Sequence, residues 1–233
     1  MNKGVRRWLV GLVVLIAAVV ILMVFSPVAA DFYFGIARGK FVSCRNHATF
    51  VAIALDDYVS IHGRIPYDPN MPGDELFCIL EHYGCKGAYL KCHMGAPWQR
   101  AGGWQMVNAS PEAWLAIIDR LKGTVIPVIW CGRSHYLGPG KGRMRIVVAI
   151  TDYIYDEMMT VTKKAAQGEP YDFPEEWHCF WPTGIIYGLS EEELQQAVAR
   201  VNAILEQCGE HTVPLDIERN KNYERITEQF AEQ

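Results

Sequence analysis

The stretch WLVGLVVLIAAVVILMVF, Trp8 to Phe25, continues across Pro27 into an amphipathic segment that closes on HGRIP at residues 62–66, and this region decides how the chain is organised. No charged or polar side chain interrupts the first run. As a helix its 18 residues rise about 27 Å at roughly 1.5 Å per residue, close to the thickness of a bilayer's hydrocarbon core. Lys3, Arg6 and Arg7 precede it, whereas Asp31 follows it and Arg38 and Lys40 come later. The positive-inside bias therefore keeps the N-terminus cytoplasmic and sends everything after about residue 30 across the membrane. Val28, Ala29 and Ala30 offer an alternative, a signal peptide cleaved before Asp31, with the remainder secreted. The run exceeds the 7 to 15 residues of a signal-peptide core, which favours a retained anchor.

The amphipathic segment is a second helical signal. Ala37, Phe41, Cys44, Ala48, Val51, Ala52, Leu55, Tyr58 and Val59 recur at steps of three and four, and Arg38, Lys40, Arg45, Asn46 and Asp56 occupy the face between them. Such a stripe predicts a long helix with one buried side. Pro27 introduces a kink between the two halves, Gly63 supplies a stop, and Pro66 lies just beyond it.

Further along, Asp74 to Tyr83 reads as a short helix. Ser110-Pro111-Glu112 opens another, with Trp114, Ile117, Ile118 and Leu121 on its inner face and Gly123 at its end. The β-branched runs Val125–Trp130 and Arg143–Ile150, joined by a Gly-Pro-rich turn, predict an antiparallel hairpin, and Phe180 to Tyr187 adds a strand. Ser190 with Glu193 forms a capping box for a helix whose inner face carries Leu194, Ala197, Val201, Ile204 and Cys208, closed by Gly209. From Pro214 the chain is polar, and this tail is expected to be loosely held.

Composition bounds what this assembly does. The 233 residues are half hydrophobic, so about 200 residues beyond the anchor suffice for one domain with a real core. A formal charge of -4 and the absence of a basic patch with interleaved aromatics exclude nucleic acid as the expected partner. Gly138-Pro139-Gly140-Lys141-Gly142 lacks the Ser or Thr that a phosphate loop places after its lysine, and reads as a turn tip.

The seven cysteines are Cys44, Cys78, Cys85, Cys92, Cys131, Cys179 and Cys208. In an oxidising compartment disulfides are expected among Cys78, Cys85, Cys92, Cys131 and Cys179, while Cys44 and Cys208 fall on inner helix faces as small buried thiols. Cys92, His93, Cys131 and His135 are weak metal-ligand candidates, because they lack the paired C-x₂₋₄-C spacing of zinc sites. Cys131 and His135 alone establish no nucleophile and base, no carboxylate pair converges, and no cofactor is called for.

SCRNHATFVAIALDDYVSIHGRIP, residues 43–66, resembles the end of the first helix of type IV pilin-like proteins, especially the pseudopilins of type II secretion. Cys44, Asn46, Ala54, Leu55, Tyr58, Gly63 and Pro66 carry the match. YLKCHMG at 89–95, GGWQMVN at 102–108 and PVIWCGRSHYLGPGKGRMRIVVAITDY at 127–153 are similar to pieces of the same proteins. The chain departs from them at the processing site, since the residues five places after Gly4 and Gly11 are Leu9 and Ile16 where a prepilin has Glu. The resemblance implies an α+β fold in which a long N-terminal helix, transmembrane then amphipathic, packs on a small antiparallel sheet with additional helices.

The expected organisation is a cytoplasmic N-terminus at 1–7, a transmembrane segment or signal peptide at 8–30, a pilin-like extracytoplasmic domain at 31–213 and a polar tail at 214–233. The expected role is a non-catalytic structural or interaction protein of the cell envelope. Its partners would be the lipid bilayer and envelope proteins, or a second copy through the N-terminal helix. A thiol- or metal-dependent enzyme, or a ligand-binding module, centred on the Cys131–His135 hairpin is the alternative.

Overall fold

The computed structural model describes residues 3–25, 27–83, 104–132, 134–136, 142–171 and 186–215. The apolar run lies in helix α1, Lys3–Phe25, and α2 follows over Pro27–His62. Proline divides the two because its ring collides with the carbonyl four residues earlier, yet its fixed φ and missing N–H suit a first helical turn.

The expected stripe lies in the second half of α2. Cys44, Ala48, Val51, Ala52, Leu55, Tyr58 and Val59 are buried, together with Ala54, while Arg45, Asn46 and Asp57 face solvent. Gly63 ends the helix with φ +64° and donates its N–H to the Val59 carbonyl at 2.8 Å. Pro66 is buried just after it. Tyr58 meets His62 and Tyr83 at ring-centroid distances of 4.3 and 5.1 Å, which docks the end of α2 onto the following segment.

That segment, expected as one helix over 74–83, consists of a single α-turn, α3 (Gly73–Leu76), and a 3-10 turn at Phe77–Tyr83. Gly73 is required here: a Cβ at this position would lie 2.1 Å from the Met106 carbonyl oxygen.

Among the described residues five antiparallel strands form one sheet: β1 (Trp104–Met106), β2 (Ile126–Cys131), β3 (His135–Tyr136), β4 (Arg143–Ile150) and β5 (Ile186–Ser190). The expected pairing of β2 with β4 is present, with Trp130 opposite Val147 and Ile126 opposite Ile150. The intervening segment contributes β3, an element absent from the sequence reading. Met144 pairs with His135 on one side and Ser190 on the other, so β2 and β3 share one edge of β4 and β5 takes the other. Of the strand expected over 180–187, residues 180–185 lie outside the described residues, and 186–187 open β5, which runs on to Ser190, three residues past the expected end.

Both faces of the sheet are covered, and from Ile146 to Ile150 β4 is buried at every position. Helix α2 packs against β3, β4 and β5, and α6 (Glu191–Gln207) packs against β2, β4 and β5. Helix α4 (Pro111–Arg120) lies on α6, and α5 (Tyr155–Ala166) lies on α4. The Ser110 cap and the Ser190–Glu193 capping box both form. Helix α5 escaped the sequence reading, although Asp156 and Glu157 in its first turn and Lys163 and Lys164 in its last match the helix dipole. Cys208 is a correction: it caps α6 at an exposed position, and Leu205 takes the inner place expected for it.

The fold is thus α+β, a long helix on an antiparallel sheet with further helices behind. Among the described residues no helix is long and apolar enough to cross a membrane.

Candidate functional site

Alternation along the strands sorts the buried polar side chains to opposite faces. Trp130, Arg145 and Val147 point toward α6, whereas Cys131, His135 and Met144 point toward α2.

On the α2 face, three residues converge from three elements. Cys44 comes from the helix, Cys131 from the end of β2 and His135 from the start of β3, and all three are 0% exposed. The Cys44 and Cys131 sulfurs are 3.8 Å apart, and the Cys131 sulfur is 3.5 Å from His135 Nε2. All three potential ligand atoms lie within 4.8 Å of one another. Phe41, one turn before Cys44, sets its ring edge-to-face against His135 at 5.7 Å. The geometry follows from the local fold. Two residues four apart keep the same face through the break between β2 and β3, and Cys44 sits where the α2 stripe crosses them.

On the α6 face, Arg145 is 5% exposed and donates to both carboxylate oxygens of Glu191, at 3.0 and 2.7 Å. It also donates to the Leu215 carbonyl at 3.2 Å, as Trp130 Nε1 does at 3.1 Å. The chain at 213–215 is therefore tied down, and Asn202 exchanges two hydrogen bonds with Val213. This corrects the expectation of a loosely held tail at its first residues; 216–233 lie outside the described residues.

A cleft of about 310 Å³ lies elsewhere, lined by Asn70, Met71, Gln105, Asn108, His211 and Pro214 among others, and none of the three cluster residues borders it. Asn108 organises its rim through hydrogen bonds to Asp68 and Met71.

Comparison with known proteins adds no constraint. No family model, curated protein or solved structure matches the chain.

Of the sequence candidates, Cys131 and His135 come together. Cys92, His93, Cys85 and Cys179 lie outside the described residues, as does the side chain of Cys78. Among the residues of the pilin-like motif, Tyr58, Gly63 and Pro66 shape the end of α2, and burial raises the Tyr58 phenol above its usual pKa against the opposing pull of Arg64. Asn46 is exposed on α2. Cys44, read from sequence as a small core thiol and a residue of the pilin-like motif but not as a metal ligand, is the residue that completes the cluster. Its 87-residue separation from Cys131 defeats any spacing rule, and the only available signal is that the α2 stripe buries it.

Proposed function

We propose that the chain is a membrane-anchored, pilin-like structural or interaction subunit of the cell envelope, with no catalytic role. Its N-terminus is cytoplasmic and the domain built on the sheet is extracytoplasmic. The observation that supports this reading is the contrast between the two N-terminal helices. Leu12, Val13, Val14, Leu15 and Ile16 are five consecutive large apolar residues of α1, enough to encircle the helix, and each is 40–64% exposed. A helix whose described apolar side chains are exposed all round calls for an apolar solvent, and the sequence extends that character from Trp8 to Phe25. Helix α2 instead buries one stripe, Cys44, Ala48, Val51, Leu55 and Val59, and packs on the sheet, as the resemblance to pilin-like proteins implies. The bilayer is then one partner, and envelope proteins or a second copy meeting α1 are the others.

Fractionation and intact mass test the proposal together. The full chain should remain with membranes after an alkaline carbonate wash, be released by detergent, and retain residues 1–30. Recovery as a soluble species starting at Asp31 would sink it. Cross-linking in intact membranes should give adducts through the N-terminal helix, with copies or envelope proteins; monomer alone would remove the assembly role.

A further inference from the structure

We propose that Cys44, Cys131 and His135 form a binding site for one thiophilic divalent ion of the zinc class, which fastens α2 to the sheet. With Zn–S near 2.3 Å and Zn–N near 2.05 Å, a tetrahedral ion sets its ligands about 3.8 Å apart for a sulfur–sulfur edge and about 3.5 Å for a sulfur–nitrogen edge. Two of the three observed edges match these values, 3.8 Å between the cysteine sulfurs and 3.5 Å between Cys131 Sγ and His135 Nε2, and the third, from Cys44 to His135, lies within 4.8 Å. A disulfide requires about 2.05 Å between the sulfurs, so that bond does not account for the spacing.

Charge supports the same assignment. Two thiolates and a neutral imidazole around a divalent cation sum to zero, the state that a site with 0% exposure and an aromatic wall tolerates. Thiolate ligands select zinc-class ions over magnesium and calcium. Among the described residues, three protein ligands fill three of the four tetrahedral corners. This inference stands on the α2–sheet junction and is independent of the membrane reading.

Cobalt(II) is the probe, added to the detergent-solubilised full chain after reduction with a phosphine. One Co²⁺ per chain should bind and give a thiolate-to-cobalt charge-transfer band, displaced by one equivalent of Zn²⁺. Cys44→Ser, Cys131→Ser and His135→Asn should each weaken binding by more than the roughly 10- to 100-fold typical of losing an outer-shell partner. Cys208→Ser should leave it unchanged. In the wild-type chain, Zn²⁺ should also protect Cys44 and Cys131 from alkylation, read by peptide mass, so the result holds even if a variant fails to fold. The proposal is overturned if the reduced chain gives no band, if the band survives in folded Cys44→Ser and Cys131→Ser, or if Zn²⁺ leaves alkylation of both cysteines unaffected.

Discussion

On one face of the sheet a guanidinium is buried against a carboxylate; on the other, two thiols and an imidazole are buried against a phenyl ring. The Arg145 side is complete in itself, with Glu191 neutralising the charge and the Leu215 carbonyl taking a further donor. The Cys44, Cys131 and His135 side holds no such ion pair among the described residues and gathers soft ligand atoms within 4.8 Å of one another. The difference teaches where to look for chemistry. A buried ion pair with both members present joins elements, here β4, α6 and the segment at 215. A buried set of ligands drawn from α2, β2 and β3 can join elements only as tightly as what it binds.

The largest expected effect comes from breaking the charged face. Glu191→Ala leaves the Arg145 guanidinium buried without its carboxylate and should cost about 3 kcal/mol in denaturant unfolding. Arg145→Met should cost less, about 1–2 kcal/mol, because the Glu191 side chain is 35% exposed and can hydrate when left alone, while methionine keeps much of the buried volume. If Arg145→Met proves the more damaging change, the guanidinium acts through packing and its contact with 215, and the contrast with the thiol face loses its electrostatic basis.

The thiol face should respond conditionally. In the metal-free, reduced chain, Cys44→Ala removes about one methylene's worth of buried volume and should cost about 1 kcal/mol. With Zn²⁺ present the wild-type chain gains the linkage free energy of the bound ion, so the gap between the two proteins should widen as zinc is titrated. Thermal unfolding at several zinc concentrations checks this. A constant gap would reduce Cys44 to an ordinary core residue.

These two faces were unequally legible in the sequence. The α2 stripe, the β2–β4 pairing, the Ser110 cap and the Ser190–Glu193 box are local signals, and each appears where its periodicity or capping chemistry places it. Helix α5 was hidden because only the short turn 151–154 separates it from the β-branched strand β4, and Ile154, at its cap, makes no side-chain hydrogen bond. Cys208 was misplaced because a helix end frays from the stripe that Leu205 still obeys. The clusters themselves are long-range. Arg145 finds Glu191 46 residues away and Cys44 finds Cys131 87 residues away, separations at which only the completed sheet decides who meets whom.

The smallest expected effect lies at the start of α6, next to the carboxylate of the charged face. Ser190→Ala should cost about 1 kcal/mol, the usual value of a lost N-cap. Glu193 completes the box from the other side: its carboxylate accepts the Ser190 hydroxyl at 2.7 Å and the Ser190 N–H at 2.8 Å, and these bonds lower its pKa. The sign follows from linkage. With the folded value below the ordinary 4.5, this stabilisation is fully present above that pH and fades as pH falls through the folded value. Glu193→Gln keeps a neutral acceptor and loses the titration. The stability difference between wild type and Glu193→Gln should therefore be flat near neutrality and shift against wild type on acidification below about pH 4.5. Parallel urea unfolding series at stepped pH resolve it; a difference that stays flat into the acid range would show that the exposed carboxylate is screened by solvent and adds nothing to the helix start beyond a neutral hydrogen bond.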